Sequence, residues 1–317
     1  MTEMHRSTTA ASRLAQLGVT VFERGWLSSN NVLVQGADST ALVDSGYCTH
    51  SAQTVALVQH ALQTKPLDLL LNTHLHSDHC GGNAALQSAF PELKTLIPPG
   101  QAAAAANWDP VALTHEPTGQ TCPPFNFQGL LAPGDAIRLG DTFWEIHAAK
   151  GHDPHSVVLF EPITRVLISA DALWENGFGV VFPELEGIAA FDEVAATLSL
   201  IETLNPAAVI PGHGAVFEDV KGALQRAGSR LDQFVKSPEK HRRYALKVLV
   251  KFKLLEWQSV SFDNLFKWYS TTPYISSIEQ RPKSADPQSL HSSLNSLIAD
   301  LAKSNALLVK GNTIIDA

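Results

Sequence analysis

The run Thr73-His74-Leu75-His76-Ser77-Asp78-His79-Cys80-Gly81-Gly82 puts three imidazoles and a carboxylate within six positions, a density that structure alone does not explain. Leu67-Asp68-Leu69-Leu70-Leu71 before it reads as a buried strand, and Gly81-Gly82-Asn83 after it turns the chain into a helix. The H-x-H-x-D-H spacing therefore belongs to a loop leaving a strand end. Such a loop can aim His74 and His76 at one ion while the following turn carries Asp78 and His79 towards a second. Neutral imidazoles with few carboxylates suit zinc, and iron or manganese accept similar sets.

Later histidines and acids matter where strands end. Trp144-Glu145-Ile146-His147-Ala148-Ala149 reads as a strand that leads into a Gly/Pro-punctuated loop carrying His152. Val166-Leu167-Ile168-Ser169-Ala170 delivers Asp171, and Ala207-Ala208-Val209-Ile210 runs into Pro211-Gly212-His213-Gly214, whose glycines let backbone approach a ligand. Taken singly, His152 or His213 would pass for an ordinary hydrogen-bonded residue; beside the cluster each becomes a candidate ligand. His155 reads as a turn residue and His147 as a strand residue. His5, His50, His60, His115, His241 and His291 have no partner pattern and are assigned surface or packing roles.

In order along the chain, THLHSDH, GH, a strand-terminal Asp and PGHG resemble the metallo-β-lactamase superfamily, over residues 17–235. The resemblance implies one metal held by His74, His76 and His152, a second by Asp78, His79 and His213, and Asp171 bridging them. It also implies a metal-bridging hydroxide as nucleophile, with Asp78 both holding a metal and helping to move the proton. Asp171 stands where the dizinc antibiotic-degrading members carry Cys, which points away from β-lactam hydrolysis and towards the broad hydrolase branch. The expected cofactors are two divalent ions, zinc first.

Short strands at Val19-Thr20-Val21-Phe22, Asn31-Val32-Leu33-Val34 and Thr40-Ala41-Leu42-Val43-Asp44 open the chain, with Gly36-Ala37-Asp38-Ser39 as a hairpin-like turn and a helix from Ser51 to Leu62. Strand–helix alternation after this hairpin suits two packed mixed sheets with helices outside, the αββα sandwich of the family (α/β, α+β mixed). Residues 107–128, with four prolines, read as a loop-rich insertion bordering the cleft. Trp174, Phe178 and Phe182, in the aromatic and glycine-rich stretch after Asp171, are candidates for an apolar substrate wall; burial against the sheet is the competing role. No basic cluster near that stretch announces a glutathione or nucleotide site. Cys48, Cys80 and Cys122 form no CxxC pair, and Cys80 is expected to be a small buried thiol.

The chemistry of the chain changes after residue 235. Residues 236–317 carry 12 Lys/Arg against 7 Asp/Glu, a net +5, whereas the remaining residues hold 11 against 24, a net −13. A catalytic domain is therefore expected over 1–235 and a second module over 236–317. Helices at His241–Glu256, at Phe262–Tyr269 and along the stripe Leu290, Leu294, Leu297, Ile298 and Leu301 precede a hairpin around Lys310-Gly311-Asn312, an order that looks like a winged helix. Lys240, Arg243, Lys247 and Lys251 share one helix face, read as a solvated face rather than a nucleic-acid surface.

These features give two ranked enzyme readings: hydrolysis of a small ester, thioester or lactone, and second, cleavage of RNA or a phosphodiester held by the basic module. A non-enzymatic binding protein fits poorly with a complete ligand set. The expected partner is a small acyl substrate; a homodimer is compatible with the sequence. The polar start Met1-Thr2-Glu3-Met4-His5-Arg6 without a secretory apolar segment, and the lack of a membrane-length apolar run, give a cytoplasmic expectation.

Overall fold

Strands buried on both faces need a layer above and a layer below. Asn31–Gln35, Thr40–Val43, Val157–Glu161, Val166–Ala170 and Ala208–Pro211 are of this kind, buried throughout or at all but one position. The protein is seen here as a computed structural model that describes residues 9–280 and 287–317; the polar start at Met1–Arg6 lies outside the described residues.

One sheet runs in sequence order through β1 (Val19–Phe22), β2 (Asn31–Gln35), β3 (Thr40–Val43), β4 (Leu69–Leu71), β5 (Lys94–Ile97) and β6 (Gly129–Leu130). Its first three strands pair antiparallel, and the pairs from β3 to β6 are parallel. The other sheet has the order β11-β10-β9-β8-β7, from β7 (Ala136–Leu139), β8 (Thr142–Ala148), β9 (Val157–Glu161), β10 (Val166–Ala170) and β11 (Ala208–Pro211). Here only β10 and β11 pair in parallel.

Alternation along each strand builds the layers. Val32, Val34, Val43 and Leu71 of the first sheet meet Trp144, Ile146, Leu159, Val166, Ile168 and Ile210 of the second in the central core. The intervening residues Leu33, Leu42 and Leu70 face outwards and are covered by Val58 and Leu62 of one helix (Ser51–Leu62) and Leu86 of another (Asn83–Ala89). On the far side, Val158, Phe160, Leu167 and Val209 pack beneath helices Phe191–Leu204 and Val220–Lys236. Each such buried aliphatic contributes roughly 1.5–3 kcal/mol. The result is the αββα arrangement expected from the alternation of strands and helices.

The C-terminal part has helices at Pro238–Trp257, Phe262–Thr271, Pro273–Ile278 and Pro287–Lys303. A small sheet joins them, with β12 (Ser259–Ser261), β13 (Leu307–Lys310) and β14 (Thr313–Asp316) in the order β12-β14-β13. The third helix of this part and β12 are additions to the sequence expectation. Leu249, Val250, Leu265, Ile275, Leu294, Leu297 and Ile314 form their shared core. That core also takes in Val180 from the stretch after Asp171, so the C-terminal helices pack directly over the strand-end loops. No helix among the described residues is long and apolar enough to cross a membrane.

Candidate metal centre

The loop from β4 to the short helix Ser77–Cys80 is stitched to both sheets. Thr73 N–H and Oγ1–H donate to the two oxygens of Asp44 at 2.9 and 2.8 Å, and Val157 N–H donates to Thr73 O at 2.9 Å. With its proton given to Asp44, the Thr73 hydroxyl is left to accept from His74 Nδ1–H, 3.1 Å away. His79 Nδ1–H donates to Asp44 Oδ2 at 2.7 Å, and His152 Nδ1–H donates to Val180 O at 2.6 Å. These outer bonds fix the tautomers, so that Nε2 of His74, His79 and His152 presents a lone pair inwards.

Two triads of donor atoms result. His74, His76 and His152 form the first: His76 Nδ1 lies 3.0 Å from His74 Nε2 and 2.9 Å from His152 Nε2. Asp78, His79 and His213 form the second, with Asp78 Oδ2 3.2 Å from His213 Nε2 and 4.0 Å from His79 Nε2. Asp171 stands between them. Its Oδ2 is 3.4 Å from His152 Nε2, and its Oδ1 is 3.4 Å from His79 Nε2 and 3.8 Å from His213 Nε2.

Such convergence fits a cation better than a hydrogen-bond network. Nε2 of His79 is buried, and among the described residues the carboxylate oxygens Asp171 Oδ1 at 3.4 Å and Asp78 Oδ2 at 4.0 Å approach it without a well-formed hydrogen bond. Two nitrogens on one tetrahedral zinc at ~2.0–2.1 Å lie about 3.4 Å apart, a few tenths of an ångström beyond the 3.0 and 2.9 Å spacings within the first triad. Burial, then the neighbouring imidazoles, hold His74 and His76 well below the usual histidine range. For Asp171, burial pushes the carboxyl up, but His79, His213 and His152 outweigh it and leave it well below the ordinary value. His79 is the reverse: burial pulls it down, and Asp44, Asp171 and Asp78 raise it well above.

Backbone geometry delivers these groups. The register of β10 shifts between Ile168 and Ala170, and Ala170 takes φ +45°, so the strand end is re-aimed and Asp171 turns into the site. Gly212 is required at its position, because a Cβ there would sit 2.2 Å from Asp171 Oδ1. At Gly179 the same addition would come within 2.4 Å of His152 Nδ1.

The candidate substrate wall divides. Trp174 Nε1–H donates to Asp171 Oδ1 at 3.2 Å, and Phe182 packs edge-on against His76 and His152, so both line the cavity over the centre. Phe178 does not. It is 1% exposed and packs against Phe234 in the core, because Gly177 at φ +124° turns the chain between Trp174 and Phe178. Cys80 is buried beside Leu75 O and is not part of either triad.

The site also takes in residues that the sequence did not single out. Trp26 stacks on His213 with ring centroids 5.2 Å apart and meets Trp174 edge-on. Asp44 also belongs here; as a strand-terminal acid like Asp171, it was open to the same test. The cavity over the centre, about 90 Å³, is closed by Val248, Leu249, Phe252 and Tyr274 of the C-terminal helices and by Thr114, Thr118 and Gln120 of the proline-rich insertion. A larger cavity of about 530 Å³ adjoins it, sharing Trp26, Trp174, His213 and Tyr244.

The basic helix face also differs from expectation. Arg243 pairs with Asp300 at 2.7 Å, and Lys251 with Asp316 at 2.5 Å and Ala306 O at 2.7 Å, so these two brace the C-terminal helices and hairpin instead of forming an open solvated stripe. Lys247 and Arg230 line the larger cavity, so basic residues do flank the loop after Asp171, though none adjoins it in sequence.

Two mixed sheets with histidines and aspartates gathered at their strand ends define the class, and comparison with known proteins agrees. The metallo-β-lactamase superfamily model matches residues 24–213, and the chain belongs to that superfamily. A hydroxyacylglutathione hydrolase of Thermosynechococcus vestitus is 28% identical over 116 residues, 37% of this chain and 38% of that protein. A probable hydroxyacylglutathione hydrolase of Schizosaccharomyces pombe is 24% identical over 177 residues, 55% and 59% of the two chains. The chain thus spans less than two thirds of either relative. The crystal structure of a metallo-β-lactamase family protein from Thermus thermophilus superposes with a TM-score of 0.54 at 16% identity, covering 95% of this chain and 99% of that one. The BLEG-1 B3 metallo-β-lactamase reaches 0.52 at 19% identity over 65% and 96%. At these identities the likeness is one of fold.

Proposed function

We propose that the protein is a dinuclear metal-dependent hydrolase of a small ester, thioester or lactone, with a thioester as the favoured substrate. The observation that carries this reading is the split of Asp171, one oxygen turned to each triad. His74, His76 and His152 would hold one divalent ion, most simply zinc, and Asp78, His79 and His213 a second, with Asp171 shared. Such a pair, when bound, would supply a water acidified towards neutrality and positive charge for the oxyanion that develops at an acyl carbon.

The chain's own groups do the rest. Asp44 and Val180 O keep His79 and His152 in the tautomers that face inwards, and Trp174 holds Asp171 by its indole N–H. Asp78 is the more open of the two inner carboxylates, its side chain 15% exposed against 7% for Asp171. It is therefore the group suited to orient the attacking water and take its proton. Phe182, Val248 and Phe252 give the cavity an apolar lining.

The names of the two hydroxyacylglutathione hydrolases, in which an acyl group is carried on a thiol, support the thioester preference. Residues 1–235 are read as the catalytic domain and 236–317 as a winged-helix-like module that shapes the cavity. The RNA-cleaving alternative loses support because Arg243 and Lys251 are engaged within the molecule. Zinc-loaded protein tested in parallel on thioesters, lactones, phosphodiesters and short RNA decides the matter. Turnover of thioesters above the other classes is expected, and cleavage of RNA alone would overturn the proposal.

A further inference from the structure

Beside the metal loop lies a third group of ligating side chains, which shares no member with the two triads. Cys80 Sγ, a ring nitrogen of His115 and Cys122 Sγ all lie within 4.8 Å of one another. Cys80 ends the short helix Ser77–Cys80, whereas His115 and Cys122 belong to the proline-rich insertion. The group therefore joins the metal loop to the segment whose Thr114, Thr118 and Gln120 close the cavity over the centre. Cys80 packs with Leu75, Leu113 and Phe125, an apolar setting in which a polar atom needs a partner.

His115 lacks one. It is 3% exposed, and its Nε2–H donates to Leu75 O at 3.0 Å. A carbonyl only accepts, so the ring proton sits on Nε2 and Nδ1 keeps its lone pair. Nδ1 is buried and has no hydrogen-bond partner among the described residues. An N–H given to a backbone carbonyl, with the other nitrogen left free, is the arrangement that prepares a histidine to ligate a metal. The sulfurs fit as well. Two sulfurs on one metal at ~2.3 Å lie roughly 3.8–4.0 Å apart at tetrahedral or trigonal angles, and Cys80 Sγ and Cys122 Sγ lie 3.7 Å apart. A disulfide would draw them to about 2.05 Å and leave His115 Nδ1 as it is, so it accounts for less of the group.

We infer that Cys80, His115 and Cys122 form a separate binding site for a soft monovalent cation, copper(I). Closed zinc sites take four ligands, whereas three gather here among the described residues, and two of them are sulfur. Thiolates select a soft ion, and copper(I) is satisfied by three ligands. The remaining cysteine, Cys48, is outside the group and donates its thiol proton to Thr121 O at 3.3 Å. On binding, each of the two thiols releases its proton to solvent as a sulfur lone pair goes to the ion, and no electron is transferred. Leu75 O, which accepts from Cys80 S–H at 3.4 Å, keeps its bond from His115. The bound ion would pin the insertion to the metal loop across 42 residues of chain. This site goes beyond the hydrolase reading, because it needs neither substrate nor either triad.

The test titrates zinc-loaded full-length protein, thiols reduced and oxygen excluded, with copper(I) held by a competing chelator. One equivalent of copper should bind with zinc content unchanged, with a new thiolate-to-copper absorption in the ultraviolet and a rise in Tm. Cys122→Ser and His115→Gln should each weaken copper binding by roughly tenfold or more while zinc content and the far-ultraviolet spectrum stay as in wild type. Cys48→Ser should bind copper as wild type does. Absence of copper binding, copper that replaces zinc one for one, or affinity untouched in both Cys122→Ser and His115→Gln would overturn the inference. An equal loss in Cys48→Ser would overturn the assignment to these three residues, and a further zinc equivalent bound in place of copper and lost in Cys122→Ser would overturn the choice of ion.

Discussion

The metal loop and the helix Pro238–Trp257 face each other across one cavity, but they are built in opposite ways. The loop gathers His74, His76, Asp78 and His79 within six positions and fixes them through Asp44 and Thr73. The helix supplies Val248, Leu249 and Phe252 as a lid whose position depends on packing with distant elements. A rigid ligand set needs locked rotamers, whereas a wall needs only shape and charge; the first is therefore local in sequence and the second is not.

Substitutions break this contrast in order of size. Asp171→Ala removes the group shared by the two triads and should abolish metal pairing and lower turnover by about three orders of magnitude or more, while the far-ultraviolet spectrum stays native. Asp78→Ala should slow turnover by roughly 10²–10⁴-fold, the worth of a proton acceptor, in a folded protein. Unimpaired turnover by folded Asp78→Ala would remove that residue from the chemistry.

Stability sharpens the contrast further. Phe178→Ala should cost about 3–5 kcal/mol in denaturant unfolding, because its ring fills the core against Phe234. Phe182→Ala, at the cavity, should cost less and act mainly by raising KM. The smallest effect concerns His241, which is buried, accepts a bond from Val181 N–H and is held at about 4 by burial and then Arg242. A neutral buried histidine takes up a proton on unfolding, so its share of stability is complete above about 6.5, its unfolded value, and is lost as pH falls towards about 4. His241→Gln should flatten the decline in melting temperature over that window; an unchanged slope would deny His241 this role.

How much was legible follows the same division. His74 to His79 stood out because side chains that converge from one loop are close in sequence, and His152, Asp171 and His213 because strand ends are visible as apolar runs meeting glycine. Trp26 reaches the site from a segment with no strand-end signal, whereas Asp44 ends a strand and the same test that found Asp171 applies to it. Lys247 looked like a surface residue because its helix pattern cannot reveal that Trp174 lies opposite. For Phe178 the structure favours burial over the wall, the two roles its sequence left open: the turn at Gly177 points it away from Trp174, and composition does not encode that turn. The helix Pro273–Ile278 is too short for periodicity to show.

Metal analysis of the purified, metal-replete protein tests the dinuclear centre most directly. Two equivalents of transition metal per chain, mainly zinc, falling to at most one in Asp171→Ala, is the expected result; no more than one equivalent in active wild-type protein would contradict it.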